Sequence, residues 1–141
     1  MILYLDTSSL VKLYVDEIGS SDVCALVDRA DVVSTSMVAL PEARSAFARL
    51  AREEVLSAQE LDSVRKAFLG DWDSFLKVRM VQRLCRRAGD LAEDYALRGF
   101  DALHLASFLE ILEQSEDERV EFSAFDARLN AAAAQVVKDG G

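Results

Sequence analysis

Histidine and proline occur once each in the 141 residues, cysteine twice and glycine six times. Each scarcity closes off a class of function. The six glycines form neither a GxGxxG fingerprint nor a P-loop, which disfavours a nucleotide-binding oxidoreductase or an NTPase. Cys24 and Cys85 make no CxxC pair and have no nearby histidine to complete a metal cage, so they read as two buried thiols in a reducing compartment. No window reaches the roughly 18 consecutive apolar residues of a membrane helix, and the N-terminus lacks the basic, apolar, small-residue order of a secretory signal. The expectation is a cytoplasmic protein with no membrane contact. The length fits one domain with one core.

What is present is charge, and it is separated by sign. The formal net charge is −9, which argues against a nucleic-acid partner, because phosphate binders usually carry a basic surface. Net charge is not local charge, however. From Ser74 to Gly89 there is no acid, while Lys77, Arg79, Arg83, Arg86 and Arg87 all fall there; from Glu110 to Glu121 six acids face Arg119 alone. The basic stretch has two readings: a solvated helix face, since the arginines recur at helical spacing, or a phosphate track.

Hydrophobic periodicity alternates strands with helices. Ile2–Leu5 reads as a strand running into Asp6 and a helix carrying Leu10, Val11 and Leu13. Gly19-Ser20-Ser21 opens a second helix, and Val32-Val33 is a short strand. Ser34, Thr35 and Ser36 offer N-cap oxygens for a helix from about Met37 to Arg52, in whose first turn Pro41 costs few hydrogen bonds. Ser57 and Glu60 have capping-box spacing and begin a helical arm over about 57–78. Phe75–Met80 is ambiguous between strand and lead-in. Val81, Leu84, Ala88, Leu91 and Tyr95 mark an amphipathic helix that Arg98-Gly99 interrupts, and a nearly apolar helix follows from Phe100. A strand then runs from Val120 to Asp126, with an Ala-rich helix and a last short strand at Gln135–Val137. The implied fold is α/β: one domain over residues 1–141, with a central, mostly parallel sheet of four to five short strands covered by helices on both faces.

Four of the 25 acids stand where solvent does not explain them. Asp6 and Asp126 sit at strand C-terminal ends, Glu42 at a helix start between Leu40 and Ala43, and Asp101 is embedded between Phe100 and Leu103. Singly, each reads as a helix cap or dipole-compensating acid. Brought to one sheet edge, they would repel one another unless a cation neutralised them. All-oxygen ligation selects a hard divalent ion, Mg²⁺ or Mn²⁺. On a phosphodiester such an ion acidifies a water and stabilises the leaving oxygen.

Four blocks carry a resemblance: Leu5-Asp6-Thr7-Ser8-Ser9-Leu10-Val11-Lys12-Leu13-Tyr14, Ala39-Leu40-Pro41-Glu42-Ala43-Arg44, Leu97-Arg98-Gly99-Phe100-Asp101-Ala102-Leu103-His104-Leu105-Ala106, and Phe125-Asp126-Ala127-Arg128-Leu129-Asn130-Ala131-Ala132. In this order, almost end to end, the chain resembles the PIN-domain ribonucleases, most closely the VapC toxins of bacterial toxin–antitoxin pairs. The resemblance implies a PIN-like domain and a Mg²⁺-dependent RNA endonuclease, in which Mn²⁺ can substitute. Asp6, Asp101, Glu42 and Asp126 are then both the catalytic acids and the metal ligands, Asp6 and Asp101 foremost, and Thr7 or Ser8 lends a hydroxyl. It also implies a homodimer or toxin–antitoxin hetero-oligomer, with a VapB-like antitoxin whose tail enters the groove beside the acids. Two departures stand out: Ser123 lies three residues before Asp126, and Pro41 precedes Glu42.

Arg98, Arg83, Arg86 and Arg87 are candidate RNA-phosphate contacts, Arg98 being equally suited to an ion pair. His104 reads as a hydrogen-bonded core residue rather than a general base. Trp72 reads as an anchor for a turn or a dimer contact rather than a base-stacking platform. The rival function is a catalytically inactive PIN-fold interaction module, against which the full set of acids argues. A phosphatase with an aspartyl nucleophile at Asp6 would usually carry a second acid two residues on, where this chain has Ser8.

Overall fold

Four strands and seven helices occupy residues 1–140, the part of the chain that a computed structural model describes. The strands β1 (Ile2–Leu5), β2 (Val32–Ser36), β3 (Leu76–Val78) and β4 (Val120–Ser123) pair in parallel in the order β3-β2-β1-β4. The helices are α1 (Thr7–Lys12), α2 (Ser20–Arg29), α3 (Ala39–Arg52), α4 (Ala58–Trp72), α5 (Gln82–Tyr95), α6 (Gly99–Gln114) and α7 (Ala127–Gly140). Parallel pairing needs a crossover between strands, and helices supply it.

The period-2 alternation of β1 divides the core. Leu3 and Leu5 face Leu10, Ala43, Phe47 and Phe68 of α1, α3 and α4, whereas Ile2 and Tyr4 face Leu105, Phe108, Leu109 and Leu129 of α6 and α7. The sheet is therefore buried on both sides, which is why the β1 residues are all apolar. Each large ring buried in this way contributes about 2–3 kcal/mol. Phe47, Phe68 and Tyr14 meet edge-on at 5.6–6.2 Å between centroids, and Trp72 extends the cluster against Phe68 and Phe75. Trp72 is buried there, under Lys77.

Two devices aim the elements that matter. Ala96, in the left-handed region at φ 54°, ends α5 and turns the chain so that Arg98 becomes the N-cap of α6 and Asp101 falls in its first turn. Ser57 and Glu60 form the reciprocal capping box that starts α4.

Some expectations need correcting. Ser34, Thr35 and Ser36 belong to β2 rather than to a helix cap; the Ser34 and Thr35 hydroxyls donate to the Leu3 and Leu5 carbonyls at 3.0 and 2.7 Å. These hydroxyls are buried, and a neighbouring strand carbonyl is their nearest acceptor. The ambiguous segment contributes β3. Gln135–Val137 is not a strand: the alanine run of α7 propagates through it to Gly140. Cys24 and Cys85 are both exposed rather than buried, because α2 turns only Ser20 and Val23 fully inward and α5 only Leu84, Ala88 and Leu91.

Candidate active site

Asp6 follows the last residue of β1 and caps α1. Its Oδ1 accepts from the Ser9 N–H at 2.9 Å and from the Ser8 hydroxyl at 2.7 Å, and only 4% of the residue is exposed. Burial pushes its carboxyl above the usual range; the Ser9 and Ser8 bonds pull it back only in part. Both bonds end on Oδ1, so Oδ2 has no hydrogen-bond donor from the described residues. The Asp6 N–H donates to the Ser123 carbonyl at 3.1 Å and the Ser9 and Ser123 hydroxyls meet at 2.9 Å, tying the ends of β1 and β4 together. Ser123 thus serves the strand junction.

Glu42 lies in the first turn of α3, with Pro41 accommodated one residue earlier. Its Oε1 accepts from the Thr7 hydroxyl at 2.6 Å and lies 2.9 Å from His104 Nε2. His104, buried on α6, also places Nε2 3.0 Å from Thr7 Oγ1 and Nδ1 2.8 Å from the Tyr4 hydroxyl. A carboxylate only accepts, so Nε2 carries the proton; in the neutral ring Nδ1 then accepts from Tyr4. Burial pushes Glu42 up, but the His104 and Thr7 bonds outweigh it and hold the carboxyl below its usual value.

Asp101 and Asp126 are joined by one cation. Arg98 Nε lies 3.1 Å from Asp101 Oδ2, and Arg98 Nη2 lies 3.8 Å from Asp126 Oδ2. Asp126 also caps α7 through the Leu129 N–H at 2.9 Å.

Asp6, Glu42 and Asp101, from three distant segments, line one cavity of about 380 Å³ at the carboxyl edge of the sheet. Asp126 stands beside it, linked through Arg98. Lys12, Glu17 and Arg49 also line this space, and sequence reasoning missed all three. A Lys-x4-Glu spacing straddling a helix end was the only signal. Arg83 and Arg87 lie elsewhere, bonded to Glu110 and Glu113 across the α5–α6 face. Arg86 is exposed on α5.

Among the described residues no three His, Cys, Asp or Glu side chains stand close enough to cage a metal ion. The donor chemistry nevertheless fits Mg²⁺ or Mn²⁺. Such ions use one or two carboxylates plus waters and substrate phosphate rather than a closed protein cage. The buried, half-satisfied Asp6 and the Asp101 of the same cavity offer that set.

Fold and site together define a small α/β domain with a carboxylate-lined cleft at the edge of a parallel sheet, where such sheets bind ligands. A model of the PIN domain family matches residues 3–135, and the chain belongs to that family, as a VapC-type member. Ribonuclease VapC45 from Mycobacterium tuberculosis (strain CDC 1551 / Oshkosh) and ribonuclease VapC49 from M. tuberculosis (strain ATCC 25618 / H37Rv) are each 36% identical to it over 132 residues, spanning 94% of this chain and 89% of the relative. The crystal structure of VapBC2 from Rickettsia felis bound to a DNA fragment from their promoter contains a chain of the same fold. It matches with a TM-score of 0.56 at 14% identity, over 89% of this chain and 100% of that one. No helix among the described residues is long and apolar enough to cross a membrane.

Proposed function

We propose that this protein is a Mg²⁺- or Mn²⁺-dependent endoribonuclease, the toxin of a type II toxin–antitoxin pair, acting as one PIN-like domain in the cytoplasm. The observation that carries the reading is the meeting of Asp6, Glu42 and Asp101 in one cavity, in a chain 36% identical to proteins named ribonuclease VapC. A VapB-like antitoxin and RNA are its partners, and a homodimer or toxin–antitoxin hetero-oligomer is its assembly.

Asp6 and Asp101 would hold the ion, with Glu42 facing the same space and Asp126 completing the acidic set. When bound, the ion lowers the pKa of a water in its shell and offsets charge on the departing oxygen. The chain's own residues set the stage. Ser8 and Ser9 fix one oxygen of Asp6 and leave the other to the cavity. Thr7 and His104 do the same for Glu42 and hold its carboxyl below the usual value. Arg98, which pairs with Asp101 and Asp126 in the chain alone, would be available to a phosphate oxygen once those carboxylates were engaged by an ion. Water attacks phosphorus in line, the bond from phosphorus to the 3′ oxygen breaks, and the products carry a 3′ hydroxyl and a 5′ phosphate.

The purified chain, freed of any antitoxin, is expected to cut a structured RNA with Mg²⁺ and to stop on chelation. Asp6→Asn and Asp101→Asn should each lower the rate by at least about 100-fold with the fold intact by circular dichroism. Parent-like cleavage by either variant would rule the metal mechanism out.

A further inference from the structure

Lys12 closes α1 inside the cavity of the acids, and only 13% of its side chain is exposed. Three contacts hold it. Its Nζ donates to Glu17 Oε1 at 3.0 Å, the same atom sits 4.6 Å from the centroid of the Phe125 ring, and its stem runs past Gly19. At Gly19, φ is +96°, and a Cβ would lie 2.6 Å from Phe125 Cε1 and 3.3 Å from Lys12 Cδ. Glycine is thus required twice, for its conformation and for the space it leaves.

An ammonium has three N–H donors, and among the described residues only Glu17 accepts from this one. A lysine placed merely to pair with Glu17 would not need to be so enclosed, since exposed pairs of this kind contribute little. The charges of the cavity indicate another use. Four acids, Asp6, Glu17, Glu42 and Asp101, share it with the cations Lys12, Arg49 and Arg98. A divalent ion offsets the acids at Asp6 and Asp101, but a second phosphate of the same strand still meets negative charge unless a protein cation receives it. Arg49 is exposed and has no ion-pair partner among the described residues, so it loses rotamer freedom on binding. Lys12 is already fixed.

Resting on the ribonuclease reading, we propose that Lys12, poised on Phe125 and Gly19, is the preorganised contact for a non-bridging phosphate oxygen of the RNA strand, next to the phosphate that is cut. Glu17 is the counter-ion that Lys12 exchanges for that oxygen, while Phe125 and Gly19 hold the side chain in place. The candidate arginines of α5 are not needed for this grip, because Arg83 and Arg87 are bonded to Glu110 and Glu113.

The test uses the full chain with Asp6→Asn, which keeps the strand uncut, and a fluorescein-labelled single-stranded RNA of about 12 nucleotides. This length covers the site of a small groove-binding protein. Affinity is followed by anisotropy against KCl concentration. Lys12→Met keeps the apolar stem; it should weaken binding about tenfold, the loss of one charge-assisted bond, and reduce the slope of log affinity against log salt by about 0.7. Lys12→Arg should restore most of both. Lys66→Gln, which removes an equal charge from the α4 surface pair with Asp62, should change neither.

Glu17→Gln separates a binding role from a structural one. Freed of its competitor, Lys12 should bind RNA more tightly, whereas a lysine serving only to pin the loop would make Glu17→Gln and Lys12→Met equally damaging. A parent-like salt slope in Lys12→Met, or weaker binding in Glu17→Gln, overturns the proposal. If either occurs while the unmodified chain still cuts RNA, the ribonuclease reading stands without it. If the parent chain neither binds nor cuts RNA, both fall together.

Discussion

Glu42 owes its lowered pKa to two donors that outweigh its burial, and one of them depends on a third residue. Tyr4, on the central strand, fixes the His104 ring through Nδ1 at 2.8 Å, and that ring presents its Nε2–H to Glu42. Tyr4 is fully buried, which pushes its phenol well above the usual range and keeps it a donor at every working pH. Tyr4→Phe leaves Nδ1 buried without a donor, at a cost of about 1–3 kcal/mol. The expected result is a Tm lower by several degrees in differential scanning calorimetry, with the helical signal retained; an unchanged Tm would show that the network is not formed. At this scale the sequence was legible where chemistry is local. Asp6 and Asp101 stand at junctions between apolar runs and helix starts, positions that single them out among many solvated acids. Lys12, Glu17 and Arg49 were not legible, because what makes them notable is the cavity they share.

Among the elements, α5 and α6 show how the separated charges are used. The basic run on α5 meets the acidic run beginning at Glu110 on α6: Arg83 pairs with Glu110 at 2.5 Å, and Arg87 grips both oxygens of Glu113 at 2.5 and 3.0 Å. The pairing explains why the two helices carry opposite sign. The Arg87 hydrogen bond, then its charge, holds the Glu113 carboxyl below its ordinary value of 4.5. A depressed acid contributes stability that is present above its unfolded pKa and is lost as pH falls through its folded one. Glu113→Gln should therefore lower the Tm by about 1–3 °C at pH 7, as an exposed ion pair warrants. The difference from the parent should shrink as pH falls below about 4.5 and vanish once Glu113 protonates; a difference independent of pH would contradict the pairing. Whereas α6 was legible as a nearly continuous apolar run, periodicity identified α2, α4 and α5 because their apolar stripes recur every three to four residues. It failed at Ser34–Ser36 and Gln135–Val137, where small or β-branched residues suit either conformation and the sheet decides: an inner strand recruits the former, and no strand lies beside the latter.

For the whole molecule, the parallel sheet is what converts distant sequence blocks into a site. With β1 central and β2 and β4 beside it, all strand C-termini point one way, so Asp6, the start of α3 and the start of α7 gather at one edge, and the turn at Ala96 after α5 brings Asp101 at the start of α6 into the same cavity. The first consequence was readable from the alternation of strands and helices. The pairing by which Arg98 holds Asp101 and Asp126 without a metal was not, since it depends on the turn at Ala96. On the proposed function, a chain of net charge −9 would accept RNA at this edge through an ion and the cations of the cleft, Lys12 foremost, whatever the sum of the surface. An inactive interaction module would keep the sheet but have no use for the ion. The most direct measurement is isothermal titration of the metal-free chain with Mn²⁺. A functional metal site takes up Mn²⁺ saturably, and Asp6→Asn and Asp101→Asn should each weaken that uptake by at least about tenfold, a loss expected for one carboxylate ligand, while Lys66→Gln leaves it unchanged. Absence of uptake by the parent, or parent-like uptake by both Asn variants, would contradict that site.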